Sequence, residues 1–134
     1  MKFTDVKTSD EELRVILEIG FLLREMSKFV EAVQVFRGAA ELIPDSDVPF
    51  VGLGTVEFQQ RNFGAAHDAY RRALEIKPQS LYARVHRAET WLFEGMRDRA
   101  EAELREIIAA DAESPHSRTA QALLEAADII SPAK

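Results

Sequence analysis

The chain is expected to be all-α, an α-α solenoid or superhelix of three helix-turn-helix repeats closed by a C-terminal capping helix. Three observations predict this. Pro44 and Pro78 stand thirty-four residues apart, so the chain carries an internal period. The residues before each proline match place by place. In a unit beginning at Leu13, the eighth, twentieth, twenty-fourth and twenty-seventh places hold Gly20, Ala32, Phe36 and Ala39, and in a unit beginning at Asp47 they hold Gly54, Ala66, Tyr70 and Ala73. A third unit, from Leu81, keeps the register with Ala88, Ala100, Leu104 and Ile107, while Ala112 stands where the proline would be. Third, Ser114 followed by Pro115 is a strong helix start beyond the last unit, because Ser caps and Pro is pre-organised for the first helical position.

The elements follow in order. Ser9 with Glu12 three residues later makes a capping box, so the first helix starts near Asp10 and runs to about Met26. Phe29 opens its partner, which ends before Pro44 because proline has no N–H and cannot continue a helix. The segment PDSDVP has the turn chemistry to join two hairpins; the second pair spans Asp47 to Gln60 and Phe63 to Ile76. The third pair spans Ser80 to Glu94 and Arg97 to Ala110, with Gly95 at its turn. Here Arg84 and Arg87 occupy two places that are normally apolar, which makes this unit the weakest match. The seventh helix runs from Pro115 to about Ile130, with Ala120, Leu123, Leu124, Ala127 and Ile130 on one side and Arg118, Gln121, Glu125 and Asp128 on the other. That is the pattern of a cap with a polar outer face. Within each unit, small residues at the eighth and twentieth places let two antiparallel helices approach, and Phe36, Tyr70 and Leu104 fill the space beside them.

Small, small, aromatic, small and Pro at fixed offsets in a thirty-four-residue unit resemble the tetratricopeptide repeat family over residues 13 to about 114. The expected organisation is a short N-terminal segment (1–12), repeats at 13–46, 47–80 and 81–114, a capping helix at 115–130 and a tail at 131–134. In that family the first helix of each pair lines the concave surface. The resemblance places Leu17 and Phe21, then Val48, Val51, Thr55 and Phe58, then Tyr82, Val85, Glu89 and Phe93 in this groove. An apolar stripe of that length is costly unless a partner covers it. A protein or peptide client with apolar anchors is therefore expected, the alternative being that some of these side chains pack between neighbouring helices. Family members that hold acidic C-terminal tails of heat-shock chaperones present Lys and Asn at the fifth and ninth places. Here Leu17 with Phe21, Val51 with Thr55, and Val85 with Glu89 stand there, so the clamp is missing.

The stretches PFVGLGTVEFQQRNFGAAHDAY and VHRAETWLFEGMRDRAEAEL resemble, more closely, the class II chaperones of bacterial type III secretion, the LcrH/SycD group. Phe50, Gly52, Leu53 and Gly54 match that group's FxGLG segment, and His86, Ala88, Glu89, Leu92 and Gly95 match its HxAExxLxxG segment. The closing LLEAADII is similar as well. The resemblance implies a cytoplasmic chaperone that holds a hydrophobic translocator subunit by a short Pro- and Leu-containing segment. It adds His86 to the groove, with Tyr82, His86 and Glu89 hydrogen-bonding the client backbone. That group has a longer N-terminal region used in dimerisation, and about twelve residues precede the first repeat here, so a homodimer stays open. A general tetratricopeptide adaptor unrelated to secretion is the alternative.

Composition narrows the field. The chain has 134 residues, 46% of them hydrophobic, enough for one array and too few for two domains. A net charge of −6 without a Lys/Arg cluster argues against nucleic-acid binding. The start, MKFTDVKTSDEE, has no apolar stretch for a signal peptide, no run is long enough for a membrane span, and a cytoplasmic location is expected. Without cysteine there is no thiol nucleophile or thiolate metal site. His86 and Glu89 lie one helical turn apart and are read as a hydrogen-bonded pair, since no third ligand accompanies them. His67, beside Asp68, is expected to face solvent, and His116 to sit in the first turn of the cap. No serine sits in a nucleophile motif and no glycines form a phosphate loop, so no enzyme, metal or cofactor is expected.

Overall fold

Seven α-helices succeed one another through residues 10–132, the part of the chain that this computed structural model describes. They are α1 (Asp10–Glu25), α2 (Phe29–Leu42), α3 (Val48–Gln59), α4 (Phe63–Ile76), α5 (Leu81–Phe93), α6 (Arg97–Ala110) and α7 (Pro115–Ile130). Ser9, one half of the expected capping box, lies outside the described residues.

The second helices bury the same three places in each repeat: Ala32, Phe36 and Ala39 in α2, Ala66, Tyr70 and Ala73 in α4, and Ala100, Leu104 and Ile107 in α6. The 4-3 spacing aligns them on one stripe of each helix. The ring of Phe36 sits between Gly20 of α1 and Gly52 of α3, where a Cβ would come within 2.8 and 2.5 Å of it. Tyr70 lies as close against Gly54. Small residues on the first helices are therefore sockets for the large residue of the second.

Turns repeat as faithfully. Ser27, Arg61 and Gly95, each thirty-four residues from the next, take positive φ values of 59°, 65° and 82° between paired helices. A serine recurs at the same period before each following hairpin or cap. Ser46 Oγ accepts from Val48 N at 3.2 Å, Ser80 Oγ from Ala83 N at 3.0 Å, and Ser114 Oγ from His116 N at 3.1 Å. Each satisfies a backbone donor that the first helical turn leaves unpaired.

The third repeat compensates for its arginines. Arg84 and Arg87 both bond Glu103 of α6, which is 12% exposed and takes the place of Val35 and Ala69 in the earlier units, and Arg84 also reaches Glu106 at 3.0 Å. A charged knot thus replaces an apolar contact on both partners at once. The cap then closes the array: α7 buries Ser117, Ala120, Leu123 and Ala127 against α5 and α6. Ser117 Oγ donates to the Asp111 carbonyl at 2.5 Å, and Arg97 at the start of α6 reaches Asp128 at 2.6 Å.

Curvature follows from which helices meet. The first helices α1, α3 and α5, and then α7, each touch the next, whereas α2, α4 and α6 do not touch one another among the described residues. An array pinched on one side and splayed on the other is concave on the pinched side. The candidate groove is that side.

Candidate functional site

Three clusters line the concave side. At the N-terminal end, Leu17 and Phe21 are half-buried; the Phe21 ring meets Phe36 edge-on at 5.0 Å, and the Arg24 guanidinium lies 5.1 Å above it. Arg24 Nη1 also donates to Thr55 Oγ1 at 2.7 Å, tying α1 to α3 across the seam. In the middle, Phe58 stands edge-to-face with Phe93, centroids 5.1 Å apart, and tilted against Phe63 at 5.8 Å. Phe93 remains 39% exposed, with the Arg61 guanidinium 5.9 Å from its centroid. Towards the cap, Tyr82 packs against His86 at 5.3 Å and stacks on His116 of α7 at 5.1 Å and 22°. His86 Nδ1 and Glu89 Oε1 are 3.1 Å apart.

Burial holds two of these rings, Tyr82 and His116, in their uncharged forms. Burial pushes the Tyr82 phenol up to about 12; Arg24 opposes the rise and Asp47 adds to it. The phenol stays protonated, and its hydroxyl makes no hydrogen bond among the described residues. His116 is lowered from its ordinary value by burial and then by the neighbouring His86, so it is a neutral ring at neutral pH. Among the described residues, no three His, Cys, Asp or Glu gather as a metal ion would need, and no helix is long and apolar enough to cross a membrane.

The expected groove residues divide into two sets. Leu17, Phe21, Val48, Phe58, Tyr82, His86, Glu89 and Phe93 are partly or well exposed. Val51, Thr55 and Val85 are not: they are 0, 4 and 1% exposed and belong to the packing beneath. The fifth place of a first helix points at the neighbouring first helix, so in α3 and α5 it is sealed in the seam. Leu17, in the first described repeat, stays half-buried. Other apolar residues at this end are more exposed: Val15, Ile19 and Leu22 of α1 and Met26 just beyond it lie between 45 and 59%, and Val30 of α2 at 68%.

One histidine departs from expectation. His67 does not face solvent; its Nε2 lies 2.6 Å from Glu94 Oε1 and its ring beside Trp91 and Tyr70. Its partner is twenty-seven residues away, which no local reading reveals. His116 sits in the first turn of α7, as expected, and from there its ring also stacks on Tyr82 in the groove. Continuing the thirty-four-residue register would have found it, because a fourth unit would begin at Pro115 and put His116 at the second place, equivalent to Val48 and Tyr82.

Comparison with known proteins matches this geometry. The tetratricopeptide repeat family model matches residues 57–124, half of the chain. The chain is similar in structure to the Yersinia enterocolitica type III secretion translocator chaperone SycD, with a TM-score of 0.74 and 23% identity over 88% of this chain and 91% of that one. SycD in complex with a peptide of the translocator YopD gives a TM-score of 0.70 at 22% identity, covering 90% of this chain and 95% of that one. The first tetratricopeptide domain of Spaghetti (RPAP3), bound to the HSP90 peptide SRMEEVD, gives 0.67 at 14% identity, covering 89% and 98%. At these identities the likeness is one of fold.

Proposed function

The chain belongs to the tetratricopeptide repeat family, and we propose that it holds an extended peptide with apolar anchors in its concave groove, with no chemical step. One observation carries this reading: Phe93 stands 39% exposed on top of Phe58, an aromatic surface open to the groove and bordered by Tyr82, His86 and Glu89. An apolar client side chain laid on Phe58 and Phe93 would be drawn out of water. The free Tyr82 hydroxyl, with Arg24 and the His86–Glu89 pair, would meet the backbone of the same segment and fix its direction.

The finer proposal is a cytoplasmic type III secretion chaperone that masks an apolar segment of a translocator client. The FxGLG and HxAExxLxxG matches support it, and so does the likeness in fold to SycD, which holds a YopD peptide. Masking lowers the concentration of aggregation-prone chain by mass action. The test compares wild type with the Phe58→Ala, Phe93→Ser double variant in affinity capture from a lysate of the source cell, with helicity checked by circular dichroism. Loss of one hydrophobic secreted protein, by about tenfold or more with helicity retained, is the expected result. An unchanged set of soluble partners would favour the general adaptor and remove the secretion reading.

A second reading has its own observation. Val15, Ile19 and Leu22 of α1, with Met26 just beyond its end, follow a 4-3-4 spacing and form an exposed apolar seam, the pattern by which helices pair. Pairing of α1 with a second copy would cover it. Sedimentation should then show a dimer that Leu22→Glu converts to monomer; a monomeric wild type at high concentration rules this out.

A further inference from the structure

Two clefts on the outer side of the array serve none of the roles above. The larger, about 580 Å³, is lined by His67, Arg71, Glu75, Arg87, Trp91 and Arg99, from α4, α5 and α6. At about 3.6 residues per turn, Arg87 and Trp91 project from the side of α5 away from Tyr82, His86 and Phe93, so this cleft is separate from the groove. The smaller, about 490 Å³, sits one repeat earlier. There Arg37, Glu41 and Leu53 hold the places that Arg71, Glu75 and Arg87 hold in the larger.

Both clefts stack arginine on an aromatic ring. The Arg72 guanidinium lies 4.8 Å from the Phe50 centroid, and those of Arg87 and Arg99 lie 4.8 and 4.2 Å from Trp91. A stacked guanidinium keeps its edge free, and that edge matches a carboxylate in a two-pronged bond. Arg71 and Arg87 already have acids, Asp68 and Glu103, and Glu94 has His67. Arg37, Arg72 and Arg99 are exposed and have no carboxylate partner among the described residues. Three guanidiniums without a bound carboxylate therefore lie in these clefts, alongside Glu41 and Asp68 in the smaller and Glu75 and Glu94 in the larger.

We propose that the two clefts form one docking track for an extended acidic peptide segment of a partner protein, with its carboxylates on Arg37, Arg72 and Arg99. Arginines spread over two clefts in successive repeats suit an extended ligand, not a single small anion. Glu41 and Glu75 select a peptide over a nucleic acid. A phosphate backbone presents charge at every step and would meet these acids and the negative field of the chain. In an extended peptide, side chains alternate in direction, so neutral residues can pass Glu41 and Glu75 while acidic ones reach the arginines.

The probe is a labelled peptide of alternating Glu and Ser, followed by anisotropy at low salt. Emission of Trp91, the one tryptophan in the chain, reports the larger cleft directly with the unlabelled peptide. Saturable binding is expected, with a Trp91 response. The Arg72→Gln, Arg99→Gln double variant should bind about tenfold more weakly, Arg37→Gln several-fold more weakly, and the groove variant Phe93→Ser as wild type. Arg37 stacks on no ring, so its variant keeps the test sound if the double variant folds poorly. The proposal is overturned by absence of saturable binding, by equal binding of a Gln/Ser peptide, by unchanged affinity in the arginine variants, or by equally tight binding of oligothymidylate.

Discussion

Val85→Asp is expected to unfold the third repeat and its cap, a loss of about 4 kcal/mol or more, under conditions in which Phe93→Asp leaves the array intact. Both residues belong to the groove face by register, but Val85 is 1% exposed in the cluster formed with Leu104, Ala120 and Leu123, and Phe93 is 39% exposed. A carboxylate at position 85 would lose its water and gain no partner. Its pKa in the folded chain would rise above the unfolded value of about 3.9, so the folded variant would bind more protons than the unfolded one. Stability of this variant therefore increases as pH falls, and the deficit should be largest at neutral pH. Urea unfolding at neutral and mildly acidic pH, read by circular dichroism, gives both quantities. A neutral-pH stability within about 1 kcal/mol of wild type would mean that Val85 faces the groove after all.

How much the sequence discloses depends on whether a residue's neighbour lies at a fixed offset. Pro44, Pro78, the buried alanines and the Phe36, Tyr70 and Leu104 series are legible because each hairpin solves the same steric problem at the same place. The helix starts at Leu81 and Pro115 are legible for the same reason: Ser80 and Ser114 cap them visibly. The positive-φ turn was readable only at Gly95, since Ser27 and Arg61 adopt the same conformation without glycine to mark it. The groove was half legible. Places that look into open space, such as Phe58, Tyr82 and Phe93, are separated from the sealed Val51 and Val85 by how tightly neighbouring first helices close. That is a property of curvature, which no single repeat encodes. Contacts between repeats, such as Arg24 with Thr55 and His67 with Glu94, depend on the same closure.

Gly54→Ala should destabilise the array by about 2–3 kcal/mol, whereas Gly38→Ala should stabilise it by about 0.5–1 kcal/mol. Each substitution adds one methyl to a helical glycine, and the surroundings decide the sign. At Gly38 in α2 a Cβ would meet nothing within 4 Å, so what remains is alanine's better helix propensity. At Gly54 in α3 the Cβ would overlap the Tyr70 ring, which is fully buried among Val51, Ala66, Ala73 and Ala83 and has nowhere to retreat. The strain is relieved only if α3 moves off α4. Because α3 carries Val48 and Phe58, that movement would displace the groove face as well, and peptide affinity should fall in the same variant even where it remains folded. Thermal unfolding of both variants, with peptide binding measured on the folded fraction, tests the coupling. If Gly54→Ala proved as stable as wild type, the socket would be soft, and the requirement for a small residue at the eighth place would need another cause.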